Sequence, residues 1–293
     1  MLFLQLALAS RVLLDAHNCY PENGRFADRL DRALAQGLPV AIEQDLAWFG
    51  GKSILTHEKK PAGAGPGMRD YFFERVRPIV EQELKSGDRK RWPVIVLNLD
   101  FKTDEPDHHR AVWQLLGEYE AWLTTAVKNG KNPAKPGRLE VKPILVLTGF
   151  NDAQERTFHD AVPNGAKLRV FGAVKDGATG TASATNYRRW SNNPWSIVEN
   201  GGQNKAGEWT DSDRAQLNRL VEEAHRRGLW ICFYTLDGFT PAAGEANGWN
   251  RTYNFGSLEA ARQRWRAAID AGVDFVATDQ YEEFAGELGA RGK

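Results

Sequence analysis

Two histidines and a pair of carboxylates near the start of the chain have the types and spacing needed for metal-assisted acid–base chemistry. His17 ends the run VLLDAH, Glu43 and Asp45 lie in PVAIEQDLAW, and His57 follows in ILTHE. Histidine exchanges a proton near neutral pH, and carboxylates bind hard divalent cations such as Mg²⁺ or Ca²⁺. This combination is typical of cation-assisted cleavage of an anionic ester. We therefore predict phosphodiester cleavage.

The two carboxylates can reach one cation only if a strand carries them. Side chains two residues apart leave the same face of a strand. In PVAIEQDLAW this places Glu43 and Asp45 on one face, while Val40 and Ile42 lie on the other. We expect the acids to face an enclosed interior and the apolar residues to pack under helices.

A second strand-like run, PVIVLNLDFKT, adds a third acid and a lysine. Its apolar positions alternate with Asn98, Asp100 and Lys102. Buried charges without a partner are costly, so Asp100 and Lys102 should be paired or bound to a ligand. Asp100 is the candidate third metal ligand, and Lys102 is a candidate to offset charge on a phosphate or a departing oxygen. The alternative for Lys102 is a structural salt bridge with Asp100 or Glu43.

Length and charge limit the classes of protein to consider. The 293 residues suit one α/β barrel, a fold that commonly takes about 250 residues. Acidic and basic side chains balance at 38 each, which provides no long-range attraction for nucleic acid or an anionic membrane. Nucleic acid is therefore disfavoured as a partner. With two cysteines, a disulfide scaffold or a thiolate metal site is not expected.

The first eleven residues allow two interpretations. They are mostly apolar and contain the small-x-small sequence Ala7-Leu8-Ala9, but they lack a basic leading region. Residues 1–11 are either a truncated secretion signal, which would place the protein outside the cytoplasm, or an ordinary N-terminal extension. We assign 12–293 to a single domain and predict no integral membrane segment.

Apolar β-rich runs alternate with helical patterns along the rest of the chain. This order is typical of a parallel sheet with crossover helices. The first helix is predicted over 23–37, with Asn23 as its cap. Seven strands have a clear pattern. One more strand, the sixth in chain order, is expected within 186–209, where the pattern is weak. Eight strands predict a (β/α)8 TIM barrel, whose active site lies at the C-terminal ends of the strands.

In this setting the motifs resemble those of the phosphatidylinositol-phospholipase-C-like phosphodiesterase superfamily, in particular its glycerophosphodiester phosphodiesterase branch. His17, the PEN sequence at 21–23, an amphipathic helix, Glu43-x-Asp45 and His57 follow the order of that branch's N-terminal signature. The late runs CFYTLDG and VDFVATDQYEEF are similar to its last two strands. The chain also resembles the group of altered inheritance of mitochondria protein 6, whose members carry a His-Asn start and the same strand acids.

The resemblance implies a TIM barrel with a defined division of labour. His17 and His57 would act as general acid and base, and Mg²⁺ or Ca²⁺ would be held by three acids, Glu43, Asp45 and Asp100. Lys102 matches a lysine near the third ligand, and Asn18 joins it as a candidate substrate-binding residue. The substrate would be a glycerophosphodiester or a phospholipid-type phosphodiester.

The chain departs from the branch's pattern, and two alternatives stay open. His17-Asn18-Cys19 replaces the usual His-Arg-Gly, and the third acid is Asp100 rather than Glu. LDFKT is similar to sphingomyelinase D enzymes, so one alternative is a lyase that releases a cyclic phosphate. The other is a barrel that binds a ligand without catalysis.

The remaining histidines are interpreted as structural, because a single histidine is more often a satisfied packing residue than a catalyst. These are His108, His109, His159 and His225. Asp15 and Asp279 lie in runs near the predicted site but are not assigned as ligands.

Overall fold

The computed structural model describes residues 12–22, 24–63 and 65–291. The signal-like segment 1–11 and the predicted cap Asn23 lie outside these residues. Among the described helices, none combines the length and the apolar character that a bilayer crossing requires.

The described strands are β1 (Leu13–Ala16), β2 (Val40–Phe49), β3 (Lys52–Leu55), β4 (Ile95–Phe101), β5 (Thr125–Val127), β6 (Leu139–Glu140), β7 (Ile144–Thr148), β8 (Lys167–Leu168), β9 (Phe171–Ala173), β10 (Arg188–Pro194), β11 (Trp230–Tyr234) and β12 (Phe275–Thr278). The α-helices are α1 (Arg29–Ala35), α2 (Glu74–Ser86), α3 (Pro106–Glu118), α4 (Asp152–Glu155), α5 (Asp211–Arg226), α6 (Pro241–Asn247), α7 (Leu258–Ala271) and α8 (Tyr281–Arg291). Single π-helical turns are Arg69–Phe73 and Arg156–Asp160, and 3₁₀ turns are Arg89–Arg91, Glu120–Trp122, Gly177–Thr179, Trp195–Ile197, Gln203–Lys205 and Arg251–Tyr253.

One compact unit of the chain comprises Asn18–Ala173 and Ala184–Arg189, and we call it the acid unit. Within it β2, β4, β7 and β9 are neighbours in that order, and every pairing is parallel. β3 turns back antiparallel along the last residues of β2. β5 pairs antiparallel with both β6 and β8 in a separate small sheet.

Among the described residues, the second compact unit comprises 12–17, Val174–Ser183 and 190–291, and we call it the histidine unit. Here β1 pairs with β12, β12 with β11, and β11 with β10, again all in parallel. Each unit thus contributes parallel strands that alternate with helices. The fold class is the (β/α)8 TIM barrel that the sequence predicts. The assignment of 12–293 to a single domain stays a prediction.

The central strands are buried along most of their length. All five residues of β7 are buried, and Asp100 is the one residue of β4 that is not. Strands covered on both faces consist largely of apolar side chains, as in ILVLT of β7. Polar residues inside such strands are therefore the exception, and their presence in β2 and β4 marks the site.

Several predicted boundaries were wrong for local reasons. The first helix begins at Arg29 rather than near 23, because Glu22 and Arg25 close a turn through paired main-chain hydrogen bonds and Phe26 has a φ of 60°. A residue in the left-handed region cannot continue a right-handed helix. The run VDFVATDQYEEF is a strand only as far as Thr278, and from Tyr281 it is helical.

Two other corrections concern the weakly patterned middle of the chain. The apolar run KLRVFGAV predicts a single strand, the fifth in chain order, but it divides between β8 in the small sheet and β9 in the parallel sheet. The strand left unassigned within 186–209 is β10, whose sequence RRWSNNP has no apolar alternation to reveal it.

A buried ion pair holds part of the histidine unit together. Arg264 on α7 and Glu199 are 2% and 4% exposed, and their atoms Nη2 and Oε1 lie 2.6 Å apart. The indole Nε1 of Trp195 donates a second bond to Glu199 Oε2 at 2.6 Å. Removing one partner of such a pair leaves an uncompensated buried charge.

We therefore expect Arg264→Met to lower the free energy of unfolding by about 3–5 kcal/mol. The matched control is Arg214→Met on α5, since Arg214 makes an exposed pair with Asp211 and its loss should cost less than about 1 kcal/mol. Urea denaturation of both variants measures the difference. Equal losses would contradict the assignment of Arg264 as the structural partner of Glu199.

Candidate functional site

The parallel register of β2 and β4 brings the predicted acids together. Asp45 is the direct partner of Asp100, and Glu43 is the partner of Asn98. Registered residues of adjacent strands project to the same face of the sheet. One carboxylate oxygen from each of Glu43, Asp45 and Asp100 lies within 4.8 Å of the others. We call these three residues the acid cluster.

Asp45 has two differently placed carboxylate oxygens. Asp45 is 1% exposed, and its carboxylate oxygen Oδ2 accepts a hydrogen bond from the Tyr20 hydroxyl at 2.8 Å. Lys102 Nζ lies 3.1 Å from the same oxygen. The other oxygen, Oδ1, is buried and has no hydrogen-bond partner among the described residues. A buried acceptor without a partner is costly unless a ligand satisfies it.

Lys102 is positioned directly after β4, where its main-chain N–H donates to Leu46 O at 2.8 Å. Its ammonium also lies 2.6 Å from Asp100 Oδ2, so it bridges two members of the acid cluster. The salt bridge predicted between Lys102 and Asp100 is present, and Asp45 is a further partner of the ammonium. Burial lowers the pKa of Lys102, but the carboxylates of Asp45 and Asp100 outweigh it and raise the pKa above its ordinary value.

The acid cluster is short of positive charge. Burial, followed by the charges of Glu43 and Asp100, raises the pKa of Asp45 well above its ordinary value, and Lys102 offsets this only in part. Tyr20 beside it also has a raised pKa, from burial and then from the charge of Asp45. Three carboxylates, one of which has a buried oxygen without a hydrogen-bond partner in the described part of the chain, fit a hard divalent cation such as Mg²⁺ or Ca²⁺.

Asn18 begins the turn that approaches the acid cluster. Its φ is 51°, a left-handed conformation that asparagine tolerates better than most residues. The main-chain N–H of Asn18 donates to Glu43 Oε2 at 2.7 Å, and its carbonyl accepts from Arg29 Nη1 at 2.9 Å. The observed contacts of Asn18 thus orient a ligand candidate. Its predicted contact with substrate stays a prediction.

His57 lies in the bend that follows β3, with an exposed side chain. The antiparallel register pairs Leu55 with Leu46, so the next residue, Thr56, falls beside Asp45 and donates its N–H to Asp45 O at 3.1 Å. The sequence pattern did not reveal the hairpin of β2 and β3. Because the chain turns back in this hairpin, His57 follows directly after Thr56, the residue that contacts the main chain of Asp45.

In the histidine unit, His17 is held by groups distant in sequence. Its Nδ1 lies 3.0 Å from Asp279 Oδ1, across 262 positions of the chain. Tyr281 donates its hydroxyl to the carbonyl of His17 at 2.5 Å, and the ring of Tyr253 stands edge-on with centroids 6.0 Å apart. A carboxylate on one ring nitrogen sets the tautomer and directs proton transfer to the other nitrogen.

Asp279 is itself fixed by a buried neighbour. Its main-chain N–H donates to Asp237 Oδ1 at 2.9 Å, and the Thr278 hydroxyl donates to the same oxygen at 2.6 Å. Burial, and then the charge of Asp279, raises the pKa of Asp237 well above its ordinary value. Sequence reasoning missed the role of Asp279 beside His17, because no local pattern connects the end of β12 to the end of β1.

Tyr20 and Arg29 are the other contributors that the sequence did not identify. Tyr20 directly follows His17-Asn18-Cys19, which replaces the usual His-Arg-Gly, and this departure beside it is the signal that could have singled it out. Arg29 sits at the start of α1 and is 3% exposed, which is unusual for an arginine and indicates a positioning role.

His108 links the elements that carry the acid cluster. Ser53 Oγ of β3 lies 2.9 Å from its Nε2, and Thr103 Oγ1 lies 2.9 Å from its Nδ1. The Trp48 ring stacks on it at 5.7 Å. Burial lowers the pKa of His108 to about 4, so the ring is neutral near pH 7. These contacts give His108 the structural role predicted for it.

No protein-family model matches this chain, and no curated protein sequence matches it. Solved structures to which it is similar include a glycerophosphoryl diester phosphodiesterase from Parabacteroides distasonis, at 18% identity and a TM-score of 0.47, covering 96% of this chain and 87% of that one. A putative glycerophosphoryl diester phosphodiesterase from Silicibacter pomeroyi has 14% identity and a TM-score of 0.48, with 98% of both chains covered.

A dihydropteroate synthase from Burkholderia cenocepacia is also similar, at 14% identity and a TM-score of 0.38, over 96% of this chain and 90% of that one. The first two structures carry the name of the class that the N-terminal motifs resemble. None of these three structures is more than 18% identical to this chain.

The lowered pKa of His108 predicts a loss of stability in acid. The unfolded chain takes up this proton near pH 6.5 and the folded chain only near pH 4, so the contribution is present above about 6.5 and is lost as pH falls to about 4. Through His108, wild type should lose about 3 kcal/mol of unfolding free energy between pH 8 and pH 4, and His108→Gln should lack this part of the loss. Urea denaturation across this pH range measures the difference.

His225 provides a control of opposite sign. Its hydrogen bond to Asp274, at 2.9 Å, raises its pKa, so its contribution is present below about 6.5 and is lost as pH rises through the folded value. His225→Gln should therefore cost more stability at pH 6 than at pH 8. Parallel pH profiles for wild type and His108→Gln would contradict the account of His108.

Proposed function

We propose that this chain is a metal-dependent phosphodiesterase that cleaves a glycerophosphodiester or a phospholipid-type phosphodiester. The observation that carries the proposal is the acid cluster, in which three carboxylates on neighbouring strands lie close together and one of them, Asp45, has a buried oxygen without a hydrogen-bond partner among the described residues. A bound divalent cation would neutralise negative charge in such a cluster. Hard cations of this kind also bind phosphate oxygens.

Glu43, Asp45 and Asp100 would hold the divalent cation, which when bound would neutralise a phosphate oxygen and make the phosphorus more electrophilic. Lys102 contributes a fixed positive charge at the same place, because its ammonium is held between Asp45 and Asp100. We propose that this charge also stabilises negative charge on the phosphate or on the departing oxygen.

His17 and His57 would share the proton transfers. Asp279 occupies Nδ1 of His17, so we assign the transferred proton to Nε2. His17 directly precedes Asn18, whose N–H holds Glu43, and His57 directly follows Thr56, whose N–H holds Asp45. One histidine removes the proton from the nucleophile, which is water or a substrate hydroxyl, and the other protonates the leaving alcohol.

The first test is catalysis by His17. We expect His17→Asn to lower kcat for glycerophosphodiesters, lysophospholipids or bis(p-nitrophenyl) phosphate by about 10²–10⁴-fold, because one proton transfer loses its carrier. Turnover is followed by ³¹P NMR, which separates a hydrolysed phosphomonoester from a cyclic phosphate and so identifies the nucleophile.

The matched control is His225→Gln, which removes another histidine paired with a buried aspartate in the same unit. It should retain kcat within about threefold, since the proposed chemistry uses neither His225 nor its partner Asp274. Equal activity of wild type and His17→Asn would refute the catalytic role of His17. Absence of turnover on every substrate, in a folded protein that binds the cation, would favour a ligand-binding barrel.

The second test is the metal. We expect EDTA to abolish turnover, Mg²⁺ or Ca²⁺ to restore it, and Asp100→Asn to raise the cation concentration needed for half-maximal rate by at least about tenfold. Asp107→Asn is the control, because Asp107 is exposed in the first turn of α3 and pairs with exposed Arg110. Full activity in EDTA would contradict the proposed mechanism.

A further inference from the structure

Tyr20 places a hydroxyl against the acid cluster from a fully buried position. It is 1% exposed, and its hydroxyl lies 2.8 Å from Asp45 Oδ2 and 2.8 Å from the side-chain oxygen of Asn18. With Lys102 Nζ at 3.1 Å, two donors converge on this one oxygen of Asp45. The carboxylate is thereby held in one orientation, and Oδ1 is the oxygen left without a hydrogen-bond partner among the described residues.

The same short segment also contacts Glu43. The main-chain N–H of Asn18 donates to Glu43 Oε2 at 2.7 Å, and the N–H of Cys19 donates to the carbonyl of Glu43 at 3.1 Å. The segment is fixed in turn, since Gln44 Nε2 donates to Cys19 O at 2.7 Å. We call residues 18–20 the ligand-orienting turn.

The geometry points to the ligand-orienting turn as the element that sets two of the three proposed cation ligands, with Tyr20 as the positioning residue for Asp45. Its hydroxyl and Lys102 occupy Oδ2, so that Oδ1 is presented to the cation, while the Asn18 amide holds one oxygen of Glu43. The inference rests on the proposed function, because it concerns the same acid cluster. Tyr20 contacts Asp45, a proposed ligand of the cation, and is not assigned a contact with the reacting atoms.

The hydroxyl is well suited to this task. A tyrosine on a rigid, buried ring presents a single donor at a set distance, and its loss leaves Lys102 as the one remaining described donor to Asp45 Oδ2. Hydrogen bonds that orient a metal ligand commonly change metal affinity by about 10–100-fold when they are removed. The effect should therefore be visible in cation binding itself, without substrate.

The test is calorimetric titration of the full chain with Mn²⁺, Mg²⁺ and Ca²⁺ in the absence of substrate. Tyr20→Phe removes one oxygen and keeps the ring, and we expect it to weaken cation binding about 10–100-fold. The matched control is Tyr71→Phe. Tyr71 is also buried, but its hydroxyl contacts the main chains of Leu30 and Ala27, so affinity should change less than about twofold.

The outcomes separate this inference from the proposed function. If wild type binds no cation, the metal site itself is refuted. If wild type binds and Tyr20→Phe binds equally well, the metal site stands and the role of Tyr20 is refuted. Equal losses in Tyr20→Phe and Tyr71→Phe would show a general structural effect and would also overturn the inference.

A second variant decides the question if Tyr20→Phe does not fold. Asn18→Gly keeps the left-handed backbone, which glycine adopts readily, together with the N–H that holds Glu43. It removes the side-chain oxygen that shares the single hydroxyl proton of Tyr20 with Asp45 Oδ2. A several-fold change of cation affinity, in the direction of tighter binding, supports the ligand-orienting turn, and unchanged affinity refutes it.

Discussion

The burial of the Asp45 carboxylate beside two further acids is the constraint on which the rest of the site depends. Parallel register sets Asp45 against Asp100, and strand periodicity adds Glu43 from the same face. Three carboxylates and one ammonium leave two negative charges when all four groups are ionised. Burial, followed by the charges of Glu43 and Asp100, raises the pKa of Asp45, and a bound divalent cation would offset the two remaining negative charges.

The surrounding structure serves to hold these groups at fixed distances. The hairpin of β2 and β3 anchors Thr56 on Asp45, and His108 ties β3 to the loop after β4. In the histidine unit, Asp237 holds Asp279, which in turn holds His17. In both units, a buried polar residue orients a second residue that does the chemistry we propose. Such supporting shells determine whether a site is precise enough to function.

Sequence patterns predicted the parts of this arrangement that depend on local periodicity. The alternation in β2 and β4 was enough to place the three acids together and to give Lys102 an acidic partner. Patterns within one strand could not reveal contacts made across the fold, such as the Tyr20 hydroxyl on Asp45 or the Asp279 carboxylate on His17. These contacts join segments that are far apart in sequence or lie in turns without periodicity.

Secondary structure shows the same division. The strong apolar runs gave the strands of the TIM barrel, whereas β10, with the sequence RRWSNNP, could not be recognised from hydrophobicity. Helix α1 begins late because the left-handed residue Phe26 stops it, and a positive φ at a phenylalanine leaves no trace in composition. Boundaries decided by single backbone angles are therefore the part of this fold that only three-dimensional structure provides.

The most direct test for a cation bound by Glu43, Asp45 and Asp100 is the anomalous difference density of Mn²⁺ in crystals of the full chain. The account predicts one strong peak within about 2.0–2.6 Å of a carboxylate oxygen from each of Glu43, Asp45 and Asp100. A peak bound elsewhere, or no peak at millimolar Mn²⁺ while Lys102 still bridges Asp45 and Asp100, would contradict it.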